Sequence, residues 1–132
     1  MTIDVIKHIV DFFNRIPRLK PNKEGTLIMG IENDYYKLEY KNKYINVIKI
    51  GSTKINAPCI LKISKKSFKK LFSSSNIEDF YNNLLDIVLF SHDIELILSE
   101  NTNPMKNVFF KIFCIRRVNR GIGRYELMIP II

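Results

Sequence analysis

A chain of 132 residues, 46% of them hydrophobic and including 9 Phe and 6 Tyr, carries enough apolar mass for a core. That excludes a disordered chain and sets the expectation of one domain over residues 1–132. Its 21 Lys and Arg against 13 Asp and Glu leave a net charge of +8, which favours an anionic partner, either nucleic acid or an anionic membrane surface. No run approaches the roughly 20 apolar residues of a membrane span, and Asp4 interrupts the start of any signal-like apolar stretch, so a soluble, cytoplasmic protein is expected.

In chain order, the first expected element is a helix from Ile3 to Ile16. Ile6, Ile9, Val10 and Phe13 recur at helical spacing on one side, with Lys7, Asp11, Asn14 and Arg15 on the other, and Pro17 ends it. After a polar loop from Lys20 to Gly25, the runs Thr26 to Ile31 and Tyr35 to Tyr40 flank Asn33-Asp34, the chemistry of a hairpin turn. Asn42-Lys43 turns the chain again into a strand from Tyr44 to Ile50. Strict alternation in the second strand puts Tyr36, Leu38 and Tyr40 toward a core and Tyr35, Lys37, Glu39 and Lys41 toward solvent.

From Ala57 to Ser99 the elements follow one another with little loop. Pro58 to Ile63 reads as a strand, and Ser64 is placed to cap a helix whose stripe is Phe68, Leu71 and Phe72. Ser75 and Glu78 have capping-box spacing ahead of a second helix bearing Ile77, Phe80, Tyr81 and Leu84. Ile87 to Phe90 then reads as a buried strand, and Ser91-His92-Asp93 as a turn into a helix with Ile94, Ile97 and Leu98 on its buried side. This order resembles the sterol carrier protein type 2 domain, whose later half runs strand, serine-capped helix with a central Phe, short helix, strand, tight turn, helix. The resemblance is clearest over residues 57–99, and Asp86 and His92 stand near places where that family usually has glycine.

The resemblance implies an α+β fold, with a sheet of about five strands covered on one face by helices and an apolar cavity between the layers. It also implies non-catalytic binding, and transfer, of a lipid or other hydrophobic small molecule without a cofactor. The side chains expected to line the cavity are Phe68, Phe72, Phe80, Leu84, Ile94, Ile97 and Leu98. Two other readings stay open: a basic nucleic-acid-binding domain, and an interaction subunit using the same fold with a filled core.

Further along, Asn103 and Pro104 make an N-cap and first-turn pair for a helix bearing Met105, Val108, Phe109, Ile112 and Phe113, although Val108 to Ile115 is apolar enough to be a strand instead. Gly121 and Gly123 break the structure before a short strand or docked tail from Tyr125 to Ile132. Two basic surfaces are expected. Lys65, Lys66, Lys69 and Lys70 share a helix face that is either simply solvated or in contact with lipid headgroups. Lys106, Lys111, Arg116, Arg117, Arg120 and Arg124 form a second cluster with no acidic residue in it, suited to an anion or membrane surface. His8 and His92 have no partner at metal-ligand spacing, so no metal or catalytic site is expected. Cys59 and Cys114 lie in apolar runs without a CxxC partner and are expected to be buried free thiols.

Overall fold

The computed structural model describes residues 4–52, 57, 59–91, 93–98, 108–109, 112–113, 115–117 and 125–127. Helix α1 spans Val5–Arg15, opened by Asp4, whose carboxylate accepts from the Lys7 N–H at 3.1 Å. It buries Val5, Ile9, Phe12 and Phe13, so its apolar face is rotated from the expected one and Ile6 is exposed. Phe12 decides the rotation, because it meets the aromatic side chains of the later helices. Pro17 begins a single 3₁₀ turn, Pro17–Leu19, since its ring cannot continue the α-helix.

Strands β1 (Gly25–Ile31), β2 (Asp34–Lys41) and β3 (Tyr44–Gly51) form an antiparallel meander. The first turn centres on Glu32-Asn33, one residue earlier than expected, with Glu32 at φ 53°; the second, Asn42-Lys43, has φ 53° and 68°. Tyr36 and Leu38 face the core as their alternation requires, and Tyr40 packs against its margin. Strand β4 (Cys59–Ile63) lies parallel to β1, and β5 (Ile94–Leu98) lies antiparallel to β4. The fold is therefore α+β, built on a five-stranded mixed sheet in the order β3-β2-β1-β4-β5 with helices α1, α2 (Lys65–Phe72) and α3 (Ile77–Asp86).

Two expected elements change type. The run from Ile87 to Phe90 is not a strand: α3 continues into a π-helical turn, Ile87–Ser91, which buries Ile87 and leaves Leu89 and Phe90 outside. The segment Ile94–Leu98 is not a helix: it is the edge strand β5, with Ile94 opposite Ile63 and Leu96 opposite Leu61. Non-local pairing explains both. Asp93 accepts from the hydroxyls of Ser64 and Ser67 at 3.1 and 2.9 Å, and the Ser64 N–H donates to the Asp93 carbonyl at 3.2 Å. Those bonds deliver Ile94 to the free edge of β4, where β-branched side chains fit the pleat. Ile94 and Leu96 then pack toward the core, while Glu95 is exposed.

The cap of α3 also moves by one residue. Asn76, not Ser75, accepts from the Asp79 N–H at 2.8 Å, and Asp79 returns a carboxylate to the Ser75 N–H at 2.9 Å. Ser64 caps α2 as expected, accepting from the Ser67 N–H at 3.1 Å. The expected helix after Asn103 falls largely outside the described residues; within them, residues 108–109 and 112–113 lie in turns, and the Ile112 N–H donates to the Phe109 carbonyl at 3.1 Å. Two short strands, β6 (Ile115–Arg117) and β7 (Tyr125–Leu127), pair antiparallel.

The core sits between the inner sheet face and the helices. Leu27, Met29, Leu38, Leu61 and Ile63 supply the floor, and Phe12, Phe68, Phe72, Phe80, Phe109 and Phe113 supply the layer above it. The rings interlock: Phe12 lies 4.7 Å from Phe72 and 5.1 Å from Phe80, and Phe68 stacks on Phe72 at 4.8 Å. Arg15 ties α1 to the end of α2, donating to the carbonyl of Ser74 just past the helix at 2.7 Å and to that of Phe72 at 2.9 Å, the latter one of the groups a helix C-terminus leaves unpaired.

Candidate functional site

Four of the seven side chains expected to line a cavity come together. Phe68, Phe72, Phe80 and Leu84 are buried in the layer between sheet and helices, where their rings and methyls contact one another and the sheet floor. Ile94 joins the margin of that layer from β5. Ile97 stands apart: it is 38% exposed and pairs with Ile60, on the sheet face opposite the helices. The reason is the change from helix to strand, which sends alternate residues to opposite faces. Leu98 closes β5 opposite Cys59.

A recess of about 200 Å³ opens at the edge of the aromatic layer, lined by Arg18, Leu19, Lys20, Pro21, Asn22, Tyr81, Val108 and Ile112. Three separate parts of the chain build it. The 3₁₀ turn after Pro17 supplies buried Leu19 between two cationic residues, α3 supplies Tyr81, and the turns at 108–113 supply Val108 and buried Ile112. Beneath it the Tyr81 ring lies 5.4 Å from Phe80, whose ring lies 6.4 Å from Phe113, so the wall is continuous with the core. Gly25 makes room for Val108: a β-carbon there would collide with a Val108 methyl. The chemistry of this recess is an apolar wall with Arg18 and Lys20 beside it, suited to the junction between a hydrophobic tail and an anionic head.

Two other concavities are more polar. One of about 300 Å³ runs between α1 and α2 along Lys7, His8, Asp11, Arg15, Phe72 and Ser73. His8 Nδ1 lies 2.9 Å from the Asp4 carbonyl and its ring 6.3 Å from that of Phe68, which places it at the helix edge. The other, about 380 Å³, surrounds Ser64, Asp93, Glu32, Lys62 and Glu95. There the polar groups hold the fold, since Glu32 accepts from the Lys65 N–H at 2.8 Å and Asp93 bridges the two serines.

Burial raises the Tyr36 hydroxyl above its ordinary pKa, assisted by the charges of Asp34 and Asp4. Burial alone pushes the Cys59 thiol up to about 11, which keeps it protonated and poorly nucleophilic near neutrality. Cys59 is a free cysteine; Cys114 and His92 lie outside the described residues. Of the second basic cluster, Arg116 and Arg117 fall in β6, opposite Glu126 and Tyr125, whereas Lys106, Lys111, Arg120 and Arg124 lie outside the described residues. Lys65, Lys66, Lys69 and Lys70 are exposed on α2.

Among the described residues no group of three or more His, Cys, Asp or Glu is placed to hold a metal ion, and no helix is long and apolar enough to cross a membrane. The sequence matches no protein-family model and no curated protein. Among solved structures, 70% of the chain is similar to part of the stereoselective inverting sec-alkylsulfatase Pisa1 from Pseudomonas sp., at 14% identity and a TM-score of 0.39. The chain spans 13% of that enzyme's length, and at this level the likeness carries no argument about activity.

Proposed function

We propose that the chain binds, without catalysis, a hydrophobic small molecule with an anionic head, such as a fatty acid, and carries it in the cytoplasm. The observation that supports this most is the recess at the edge of the aromatic layer, where Leu19, Tyr81, Val108 and Ile112 form an apolar wall and Arg18 and Lys20 lie beside it. The resemblance of residues 57–99 to the sterol carrier protein type 2 domain points the same way. A tail entering the recess gains about 25 cal/mol for each Å² of apolar surface removed from water, and the two cations select the head by charge. A recess of about 200 Å³ holds only part of a long acyl chain. The remainder would have to displace Phe80 and Phe113, which lie behind Tyr81.

One observation favours a second reading. The ring spacings of 4.7 to 5.1 Å around Phe12 and Phe72 describe a filled layer, as an interaction subunit on the same fold would have. A fluorescent fatty-acid probe separates the two. The ligand reading expects saturable binding, displacement by unlabelled fatty acid, and weakening by the double variant Arg18→Glu, Lys20→Glu. Native mass spectrometry that finds only bare protein, together with no probe binding at micromolar concentration, would reject it in favour of the filled subunit.

A further inference from the structure

We infer that the π-helical turn Ile87–Ser91 and the lysine face of α2 form a single docking surface for a bilayer with anionic headgroups. This surface is separate from the ligand recess and does not depend on that reading.

The turn presents two large apolar side chains to water, Leu89 at 55% exposure and Phe90 at 76%, and Leu85 one turn earlier is exposed as well. Exposed apolar residues scattered singly need no explanation, but adjacent ones on one turn do. A floppy tip would also explain little, and this one is held at both ends. Before it, Asp86 is paired with Lys70 at 2.9 Å, and Asn83 donates to the Lys70 carbonyl at 3.3 Å and the Ser74 hydroxyl at 3.0 Å. After it, Asp93 accepts from Ser64 and Ser67. All four of these anchors lie on or beside α2, so the turn is strapped along that helix.

The strapping determines what surrounds the apolar tip. Residues 64 to 74 bind its two ends, and the exposed face of the same helix carries Lys65, Lys66, Lys69 and Lys70. Of these, Lys70 is paired with Asp86, while Lys65, Lys66 and Lys69 form no ion pair with another described residue. Helix α2 contains no carboxylate to offset them. An exposed pair of apolar side chains, joined through these bonds to cations that have no ion pair among the described residues, is complementary to the interfacial zone of an anionic bilayer. There a ring is accommodated by soft acyl chains just below the phosphates that the lysines contact. A protein partner would need a preformed pocket for Phe90, and a nucleic acid would use the lysines and leave Leu89 in water.

The test uses the full chain with vesicles of phosphatidylcholine, with and without phosphatidylserine. The parent protein is expected to sediment with the serine-containing vesicles and to remain in solution with pure phosphatidylcholine. The double variant Lys66→Glu, Lys69→Glu should lower the partition by about 25-fold or more, from roughly fivefold per cation removed. Phe90→Ser should lower it by about tenfold, the loss expected when a largely exposed ring no longer leaves water. Because the chain contains no Trp, Phe90→Trp supplies a unique fluorophore. Its emission should shift to the blue on adding anionic vesicles and be quenched by brominated acyl chains. Failure of the parent to sediment would overturn the inference. So would binding that survives Phe90→Ser unchanged while the lysine variant abolishes it, because the contact would then be purely electrostatic, as with nucleic acid. Phe90→Ser should bind the fatty-acid probe as the parent does, which separates loss of docking from loss of the ligand site.

Discussion

Phe72 is the side chain whose removal most directly tests how the aromatic layer is filled. Its ring stacks on Phe68 at 4.8 Å, meets Phe12 at 4.7 Å and approaches Phe113 at 6.4 Å, so Phe72→Ala deletes contacts to three rings at once. Truncating a buried Phe to Ala costs about 3 to 5 kcal/mol, the upper end applying where the neighbours cannot collapse into the space. Here they cannot collapse easily, because each neighbouring ring is already held by another: Phe12 and Phe113 by Phe80, and Phe68 by His8. With about 2.1 cal/mol/K of unfolding entropy per residue, 132 residues give about 0.28 kcal/mol/K. The expected fall in Tm is therefore about 11 to 18 °C, measured by calorimetry or by the far-UV signal during heating. A loss below about 1 kcal/mol would refute the argument, since it would mean the layer is loosely packed and already holds space. Adding fatty acid provides a second reading, because a ligand that enters the vacated volume raises the Tm of Phe72→Ala by more than it raises that of the parent.

Arg15→Ala should cost about 1 to 2 kcal/mol by leaving the Phe72 and Ser74 carbonyls to solvent, and Arg15→Lys should recover only part of this because an ammonium does not span both acceptors; urea unfolding measures each. Gly25→Ala should destabilise by about 1 to 3 kcal/mol, as its methyl displaces Val108, and it should also weaken probe binding because Val108 lines the recess. Cys59 has a folded pKa of about 11 against an ordinary 9.0, so the unfolded chain releases its proton first. Its contribution to stability is thus complete below pH 9 and lost as pH rises toward 11, which stability measured across that range should show for the parent and not for Cys59→Ala. A thiol reagent should react with the folded protein much more slowly than with the unfolded chain at pH 8.

The parts of the fold legible in the sequence are those set by neighbours in the chain. The meander from Gly25 to Gly51 follows from alternation and two polar turns, and Ser64 announces α2 because a cap acts within three residues. Residues 87 to 98 are not legible locally, because both halves are apolar without glycine or proline and periodicity does not separate a turn of helix from a strand. What assigned them was Asp93, whose partners lie 26 and 29 residues earlier. The burial of Phe68, Phe72, Phe80 and Leu84 is legible because a helix stripe points to the core whatever the core contains. The recess is not legible in the sequence, because Arg18, Tyr81 and Ile112 are brought together only by the fold. The one local sign was Leu19 set between two cations and two prolines.

The bonds from Arg15 to Ser74 and Phe72 span 59 and 57 residues, and they set an order of events during synthesis. The meander can pair with itself as soon as it leaves the ribosome, but the amphipathic helix made first has its aromatic partners at positions 72 and 80. Until those emerge, α1 can dock only on β3, and Phe12 keeps an apolar flank that awaits cover, a binding site for a chaperone and a source of aggregation at high expression. The parallel junction of β1 with β4 closes at about the same stage, so the two halves of the sheet and the first helix lock together late, in one concerted step. Hydrogen exchange during refolding should accordingly protect amides of β1 and β2 before those of α1, the reverse of their order along the chain.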